Sequence, residues 1–277
     1  MCDNVIMRRS PKPGQPAEAA KLRQRCRSSQ VETAMNRQRR YDIRICIRGK
    51  AGPGGLQKEA AMKRIFVDLE MHPIERHHRD KRRICATETI EIGAVMLDED
   101  NRETSSFCEY VRPAYTSTIY PQYEQLTGIS YDMVESAGSF EEVLGRFLDW
   151  CGEDYCIYSW SENDLIQIRQ EAQLKGIPVT GALARLLSHW VDYQQEFDAL
   201  LGITRAMSLR ESVRLGGLDF AGRAHDGLVD ARNTGNLFRC LQDEAMVRRL
   251  QSSMAVSDEP LEFTLGDIFN FGAVRFA

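Results

Sequence analysis

The order of the hydrophobic patterns along the chain predicts an α/β fold in which helices cover a mixed sheet. Three segments with strand-like patterns come first, at 64–71, 84–97 and 107–111. Strand-like and helix-like segments then alternate as far as residue 243. This order is typical of a mixed sheet flanked by helices. A chain of 277 residues is long enough for one large domain or two small ones.

The three leading strands are predicted from short apolar patterns. Ile65, Phe66 and Val67 form a continuous apolar run, which is typical of a buried strand. In the second segment, apolar residues occupy alternate positions, namely Ile90, Ile92, Ala94 and Met96. A turn at 98–101 then joins this segment to the third strand, which Pro113 ends.

Capping signals and periodicity predict the later elements. Ser139 and Ser208 are each followed three residues later by Glu, a capping box that marks the start of a helix. Gly176 is a typical residue just past a helix end. The other predicted elements are a strand at 155–160 and helices at 164–175, 181–201 and 227–243.

Composition predicts a water-soluble protein. The hydrophobic fraction is 43% and the mean hydropathy is -0.40. No apolar run approaches the roughly 18 residues of a membrane span, and no apolar signal-peptide core follows the N-terminus. The eight cysteines form no CxxC pair, which argues against a zinc site. Their scattered placement favours reduced thiols and a cytoplasmic location.

Charge divides the chain into regions. Residues 1–61 hold 14 Lys or Arg and 5 Asp or Glu, whereas residues 62–277 hold 22 and 35. We predict a basic, disordered extension at 1–61, a folded domain at 62–250 and an apolar, Phe-rich tail at 251–277 that packs on the domain or on a protein partner. The extension has three interpretations: an arm that adds affinity for nucleic acid, an organelle-targeting peptide, or a segment outside the natural product.

Two carboxylates follow the apolar run of the first strand. Asp68 and Glu70 are two residues apart, so on a strand they project from the same face. Adjacent carboxylates repel each other, and their burial is costly unless a cation compensates. Oxygen ligands favour Mg²⁺ or Mn²⁺. The alternative is a strand end where both side chains face water.

Three further residues are candidates for the same site. Asp164 follows the predicted strand at 155–160, where the default role of an Asp is to cap the next helix. Asp230 falls in the first turns of the last helix. His225 lies five residues earlier, about 140° around a helix, so we place it in the preceding loop with Asp226 as the N-cap. A loop histidine beside carboxylates is suited to proton transfer, although a surface histidine without a role is the alternative.

Three short segments in order resemble the motifs of the DEDDh family of 3′-to-5′ exonucleases. They are Phe66-Val67-Asp68-Leu69-Glu70, Trp160-Ser161-Glu162-Asn163-Asp164, and His225-Asp226-Gly227-Leu228-Val229-Asp230. The segments at 91–95 and 126–129 resemble the family's second strand and its substrate loop. The likeness is greatest to the sporulation-inhibitor-type branch, which is similar to exonucleases that trim histone mRNA and small RNAs. Ser161 departs from the Gly that this branch often carries. The resemblance covers about residues 63–243.

This resemblance implies a ribonuclease H-like fold with a five-stranded mixed sheet. It also implies a site with two Mg²⁺ or Mn²⁺ ions that hydrolyses single-stranded nucleic acid, RNA in preference to DNA, to nucleoside 5′-monophosphates. The implied metal ligands are Asp68, Glu70, Asp164 and Asp230, and His225 is the implied general base. The candidates for holding the terminal nucleotide are Leu69, Met71, Thr127 and Ile129, for which ordinary packing is the alternative. The competing hypothesis for the whole domain is a module of the same fold that binds 3′ ends, or docks to a partner, without cleavage.

Overall fold

A computed structural model describes residues 62–257 of the chain. The predicted basic extension at 1–61 and the tail from residue 258 onward lie outside the described residues. The proposed disorder of the extension, and the partner-docking role of the Phe-rich tail, therefore stay predictions.

A mixed sheet forms the centre of the described domain. Its strands lie in the order β4-β3-β2-β1-β5-β6. β1 pairs antiparallel with β2 and parallel with β5, so the long first strand occupies the middle of the sheet. The strands are β1 (Lys63–Pro73), β2 (Thr87–Leu97), β3 (Glu103–Arg112), β4 (Gly138–Ser139), β5 (Tyr155–Ser159) and β6 (Trp190–Asp192).

Helices flank the sheet, as the sequence predicts. Within residues 62–257 they are α1 (Arg79–Arg82), α2 (Pro121–Thr127), α3 (Tyr131–Val134), α4 (Phe140–Cys151), α5 (Asn163–Lys175), α6 (Gly181–Ser188), α7 (Tyr193–Leu201), α8 (Leu209–Leu215), α9 (Gly227–Cys240) and α10 (Glu244–Ser257). Both predicted capping boxes form, at the starts of α4 and α8. Gly176 adopts the left-handed conformation that ends α5, with φ of 71°.

The α/β class and the mixed sheet are confirmed, but two details of the prediction are wrong. The sheet within residues 62–257 has six strands instead of five. The region at 181–201 is not continuously helical, because β6 interrupts it and pairs parallel with β5. β6 is three residues long, which is too short to show a strand period.

The two faces of β1 pack against different layers. Ile65, Val67 and Leu69 are buried in the core cluster that contains the apolar face of α4. On the other face, the ring of Phe66 lies 5.0 Å from that of Tyr158 and 5.3 Å from that of Phe238 on α9. Because side chains on a strand alternate, Asp68 and Glu70 lie on the same face as Phe66, under the start of α9.

The C-terminal part of the described domain contains a helix that the sequence did not predict. Helix α9 ends at Cys240, and α10 then runs from Glu244 to Ser257. The predicted boundary between domain and tail, at residue 251, therefore falls within α10. None of the helices in residues 62–257 combines the length and the apolar character that crossing a membrane requires.

Candidate active site

The central strand β1 carries the first two predicted site residues. Glu70 is 6% exposed and Asp68 is partly exposed. Burial and the nearby charges of Asp230 and Glu91 raise the pKa of Glu70 to about 8. Burial, followed by the charges of Asp164, Glu70 and Asp230, also raises the pKa of Asp68 well above its usual value. The alternative in which both carboxylates face water is therefore wrong.

Asp164 is the second residue of α5 and does not cap it. The N-cap position belongs to Glu162. The Oδ1 atom of Asp164 instead accepts a hydrogen bond of 3.0 Å from the backbone N–H of Leu69, between the two acids of β1. Burial raises the pKa of Asp164 to about 7, although the bond from Leu69 opposes the shift. Asp164 is thus fixed beside Asp68 and Glu70.

His225 and Asp230 are arranged around the start of α9 as the helix geometry predicts. Asp226 is the N-cap, and its side chain accepts from the backbone N–H of Val229 at 3.0 Å. His225 lies in the loop before the helix, with an exposed side chain and a φ of 63°. Its backbone N–H donates to Oδ2 of Asp230 at 3.0 Å. This bond fixes the loop to the first turn of the helix.

The residues present fit a divalent cation. Ligand atoms of Glu70, His225 and Asp230 all lie within 4.8 Å of one another. The Oδ1 atom of Asp230 is buried and has no hydrogen-bond partner in the described part of the chain. Burial also raises the pKa of Asp230, although the N–H of His225 opposes the shift. A buried acceptor without a partner beside mutually repelling carboxylates is the environment that Mg²⁺ or Mn²⁺ stabilises.

A further carboxylate, Glu91, belongs to the site, and the sequence analysis assigned it no role. It lies directly opposite Glu70 in the pairing of β1 with β2 and is 4% exposed. Its Oε2 accepts from the backbone N–H of Gly227 at 3.2 Å, and its Oε1 accepts from the thiol of Cys108 at 3.1 Å. Burial raises the pKa of Glu91, and these two bonds oppose the shift. Glu91 therefore ties the N-terminus of α9 to the sheet beside the acidic cluster.

Two glycines set how closely α9 approaches the sheet. A Cβ atom on Gly93 would lie 2.1 Å from the backbone of both Gly227 and Leu228. A Cβ atom on Gly227 would lie 3.0 Å from the carbonyl oxygen of Asp68. The backbone of α9 therefore rests directly on β2 and β1, at the position that brings Asp230 to Glu70.

We expect Gly93→Ala to lower both stability and activity. The new methyl group meets backbone atoms, so α9 must shift; overpacking of this kind costs about 1–3 kcal/mol. The same shift would move Asp230 and His225 away from β1. Thermal unfolding and a cleavage assay check both effects. Gly145→Ala in α4 is the matched control, since nothing lies within 4 Å of its added Cβ, and it should be neutral or stabilise the fold. Unchanged melting and activity of Gly93→Ala would contradict the packing described here.

A cleft of about 500 Å³ opens beside His225 and Asp230. The other side chains that line it include Leu126, Arg210, Phe220 and Arg223. Leu126 is 45% exposed, and the guanidinium of Arg210 lies 5.1 Å from the centre of the Phe220 ring. The guanidinium of Arg223 donates to the carbonyl oxygens of Gln125 and Leu126, at 2.6 and 2.9 Å. These bonds connect the segment before α9 to the end of α2. An apolar side chain and cations therefore surround the cleft next to the acidic cluster.

The four predicted nucleotide-holding residues do not line this cleft, and three of them are buried. Leu69 and Ile129 are 4% and 2% exposed and belong to apolar core clusters. The hydroxyl of Thr127 donates to the carbonyl of Tyr123 and accepts from the N–H of Ile129. Met71 is partly exposed. Their role in binding stays a prediction, and Leu126 is the exposed apolar residue of this segment that the sequence analysis did not single out.

The strand order and the acidic cluster under α9 define a nuclease domain of the ribonuclease H-like class. Comparison with family profiles then identifies the family: the exonuclease profile named RNase T matches residues 65–238. The chain belongs to this exonuclease family, and the resemblance in its motifs is confirmed.

Curated relatives are similar over part of their length. ERI1 exoribonuclease 2 of Danio rerio is 27% identical over 214 residues, which cover 69% of this chain and 38% of that protein. The 3′-5′ exoribonuclease 1 of Homo sapiens is 28% identical over 175 residues, which cover 58% of this chain and 48% of that protein. The chain thus spans about half or less of the length of these relatives.

Solved structures share the fold. The nuclease domain of 3′hExo, a DEDDh family member bound to rAMP, has a TM-score of 0.57 and 22% identity; the match covers 69% of this chain and 96% of that domain. A 3′-exonuclease that recognises the histone mRNA stem-loop has a TM-score of 0.54 and 21% identity, with 66% and 83% coverage.

Proposed function

We propose that this domain is a metal-dependent 3′-to-5′ exonuclease that hydrolyses single-stranded RNA to nucleoside 5′-monophosphates. The observation that carries the proposal is the convergence of Asp68, Glu70, Asp164 and Asp230 beside His225. The carboxylates come from three separate parts of the chain, and a cluster of this kind is costly to bury without a function. The names of the relatives, which are exoribonucleases, support the same reaction class.

Two Mg²⁺ or Mn²⁺ ions are the cofactors in this proposal, held by the four carboxylates. When bound, such ions stabilise charge on the attacking and leaving oxygens of a phosphodiester. In the chain itself, the bond from Leu69 orients Asp164 and the bond from His225 orients Asp230. Both side chains are thereby oriented before substrate binds, which lowers the cost of organising the site.

His225 is the proposed general base. Its side chain is exposed at the mouth of the cleft, whereas its backbone is fixed by the bond to Asp230. An accessible imidazole can accept a proton from an attacking water and release it to solvent. A neutral histidine also adds no charge to the anionic cluster.

The cleft beside His225 suits the 3′-terminal nucleotide of a single strand. The exposed side chain of Leu126 offers an apolar contact for a base, and Arg210 and Arg223 offer positive charge for phosphate. RNA is favoured on the names of the relatives. Within the described residues we assign no group to recognition of the 2′-hydroxyl.

The competing function is a module that binds 3′ ends without cleavage. It is disfavoured because all four carboxylates and the histidine are present, whereas a binding module has no need for such a cluster. A degenerate site would relieve the repulsion by losing one or more acids.

The test is cleavage of single-stranded RNA and DNA of one sequence, each labelled at the 5′ end, with Mg²⁺, Mn²⁺ or EDTA. We expect a ladder of one-nucleotide steps that requires metal, with nucleoside 5′-monophosphates as products and RNA cut faster. Faster cleavage of DNA would reverse the substrate preference alone. Binding of the 3′ end without cleavage in either metal would favour the non-cleaving module.

A further inference from the structure

The loop that joins β1 to β2 differs in charge from the rest of the domain. Residues 74–86, called the basic loop below, contain Arg76, Arg79, Lys81, Arg82 and Arg83 but only two acids, Glu75 and Asp80. The rest of residues 62–277 holds 17 Lys or Arg and 33 Asp or Glu. A net charge of +3 is therefore concentrated in thirteen residues, within a region, 62–277, that is otherwise acidic.

Three arginines of the basic loop are available to a partner. The side chains of Arg76, Arg79 and Arg83 are on exposed residues and make no hydrogen bond or ion pair within residues 62–257. Many arginines elsewhere in the domain are paired, as Arg146 is with Glu109 at 2.6 Å and Arg232 is with Glu103 at 2.8 Å. Unpaired, exposed guanidinium groups on one loop are suited to binding phosphate.

The basic loop is built on a fixed base. Its ends are joined by a bond from the N–H of Ile74 to the carbonyl of Ala86, at 3.0 Å. Ile74 and Cys85 are buried in one apolar cluster with Leu174, and the guanidinium of Arg82 donates to the carbonyl of Ile74 at 3.0 Å. Cations held on an ordered loop lose less conformational entropy on binding than cations on a flexible segment.

The basic loop starts near the acidic cluster and contacts the segment that leads to the cleft. It begins after Pro73, three residues beyond Glu70 on β1, which is about 10 Å along the strand. Glu75 joins it to the segment before α2: its N–H donates to the carbonyl of Tyr115 at 3.3 Å, and its carboxylate accepts from the N–H of Ser117 at 2.7 Å. That segment leads into α2, whose Leu126 lines the cleft.

We infer that the basic loop binds the phosphates of the substrate strand on the 5′ side of the scissile bond, an inference that rests on the proposed function. A strand whose 3′ end lies in the cleft must extend away from an acidic domain that repels it. The basic loop provides local positive charge at the distance of a few nucleotides from the site. Its role is to hold long substrates, and the chemical step does not depend on it.

The test compares two triple variants with the wild type. The first is Arg76→Gln with Arg79→Gln and Arg83→Gln. The matched control, Arg102→Gln with Arg185→Gln and Arg248→Gln, removes the same charge from exposed arginines that pair with acids elsewhere. Cleavage of a dinucleotide and of an oligonucleotide of about 16 nucleotides is measured at several salt concentrations. Anisotropy in EDTA measures binding of the longer strand without cleavage.

We expect the loop variant to raise KM for the longer strand about tenfold or more, with kcat nearly unchanged. The slope of log(kcat/KM) against log[KCl] should become shallower by about 2, since each lost contact to a single-stranded phosphate contributes about 0.7. The dinucleotide should be cut as by the wild type, because its only phosphate is the scissile one and none lies on the 5′ side to meet the loop. The control variant should behave as the wild type throughout.

The outcomes separate this inference from the proposed function. If the loop variant has wild-type KM for the longer strand, or is equally impaired on the dinucleotide, the inference is wrong and the exonuclease assignment stands. If the wild type cleaves nothing, the proposed function is wrong. The binding assay in EDTA then tests only whether the loop binds the strand. That role is supported only if the loop variant binds the longer strand more weakly than the control variant does.

Discussion

Asp68→Asn should lower the cleavage rate about a thousandfold or more while raising the stability of the metal-free domain. The loss of activity is expected because a neutral amide binds a divalent cation more weakly than a carboxylate does and does not offset its charge. The gain in stability is expected because burial and the charges of four neighbouring acids raise the pKa of Asp68. Folding therefore forces the wild-type side chain to bind a proton above its unfolded pKa, a cost the amide avoids. We therefore expect a higher melting temperature for Asp68→Asn than for the wild type at neutral pH without metal.

The raised pKa values also predict how the stability of the metal-free domain changes with pH. A carboxylate whose pKa is raised in the folded state binds more protons when folded, so stability falls as pH rises above its unfolded pKa. For Glu70, whose folded pKa is about 8, the loss develops from about pH 4.5 to pH 8. The melting temperature of the metal-free wild type should therefore fall as pH rises across this range. The melting temperature of Asp68→Asn should fall less. Added Mn²⁺ should raise the melting temperature of the wild type more than that of the variant.

The control for Asp68→Asn is Asp149→Asn, an exposed carboxylate on α4. It should change neither activity nor the pH dependence of melting. If Asp68→Asn cleaves RNA as fast as the wild type, Asp68 is not a metal ligand and the assignment of the acidic cluster fails. If it melts at a lower temperature without metal, the repulsion argument is wrong.

His225→Asn should reduce kcat by about 10²- to 10⁴-fold, the usual contribution of a general base. Asparagine is the appropriate replacement because His225 has a φ of 63°, and Asn adopts this left-handed conformation readily. The bond from the backbone of residue 225 to Asp230 should therefore persist. Single-turnover cleavage measures the chemical step, and thermal unfolding checks that the loop is intact.

Metal binding distinguishes two roles for His225. A ring nitrogen of His225 lies within 4.8 Å of carboxylate oxygens of Glu70 and Asp230, which is close enough for the three side chains to share one cation. A general base leaves the affinity for Mn²⁺ nearly unchanged when it is removed, whereas a ligand lowers that affinity together with the rate. His189→Asn, a histidine at the end of α6, is the control. Wild-type kcat in His225→Asn would remove the residue from the mechanism.

Periodicity predicted the parts of the site that depend on local geometry. The two-residue repeat of a strand places Asp68 and Glu70 on one face, and the 100° step of a helix places His225 outside α9. Both follow from backbone geometry, and the structure agrees. The class of fold followed from the order of such segments in the same way.

The parts that the sequence did not reveal depend on contacts between distant segments. Glu91 lies in an apolar strand and is 4% exposed. Its carboxylate accepts hydrogen bonds from Cys108 and from Gly227 of α9, neither of which is its neighbour in sequence. The local sequence around Asp164 favours a helix cap, and only the family resemblance predicts a metal ligand there; its hydrogen bond is to a residue 95 positions away. The short strand β6 carries no detectable period. Each of these features is created by packing that no single segment encodes.

The start of α9 packs against the sheet through Gly93 and Gly227. Because of this contact, the position of the catalytic acids and the packing of the aromatic core can change independently. Where a helix rests on side chains, substitutions in the core change its height by repacking. Here the start of the helix contacts backbone atoms, which have no rotamers to change. Its distance from Asp68 therefore does not depend on the volumes of Phe66 and Phe238, which pack together further along α9. The aromatic core can therefore drift during evolution, with gains and losses in melting temperature, while the spacing of the acids stays constant.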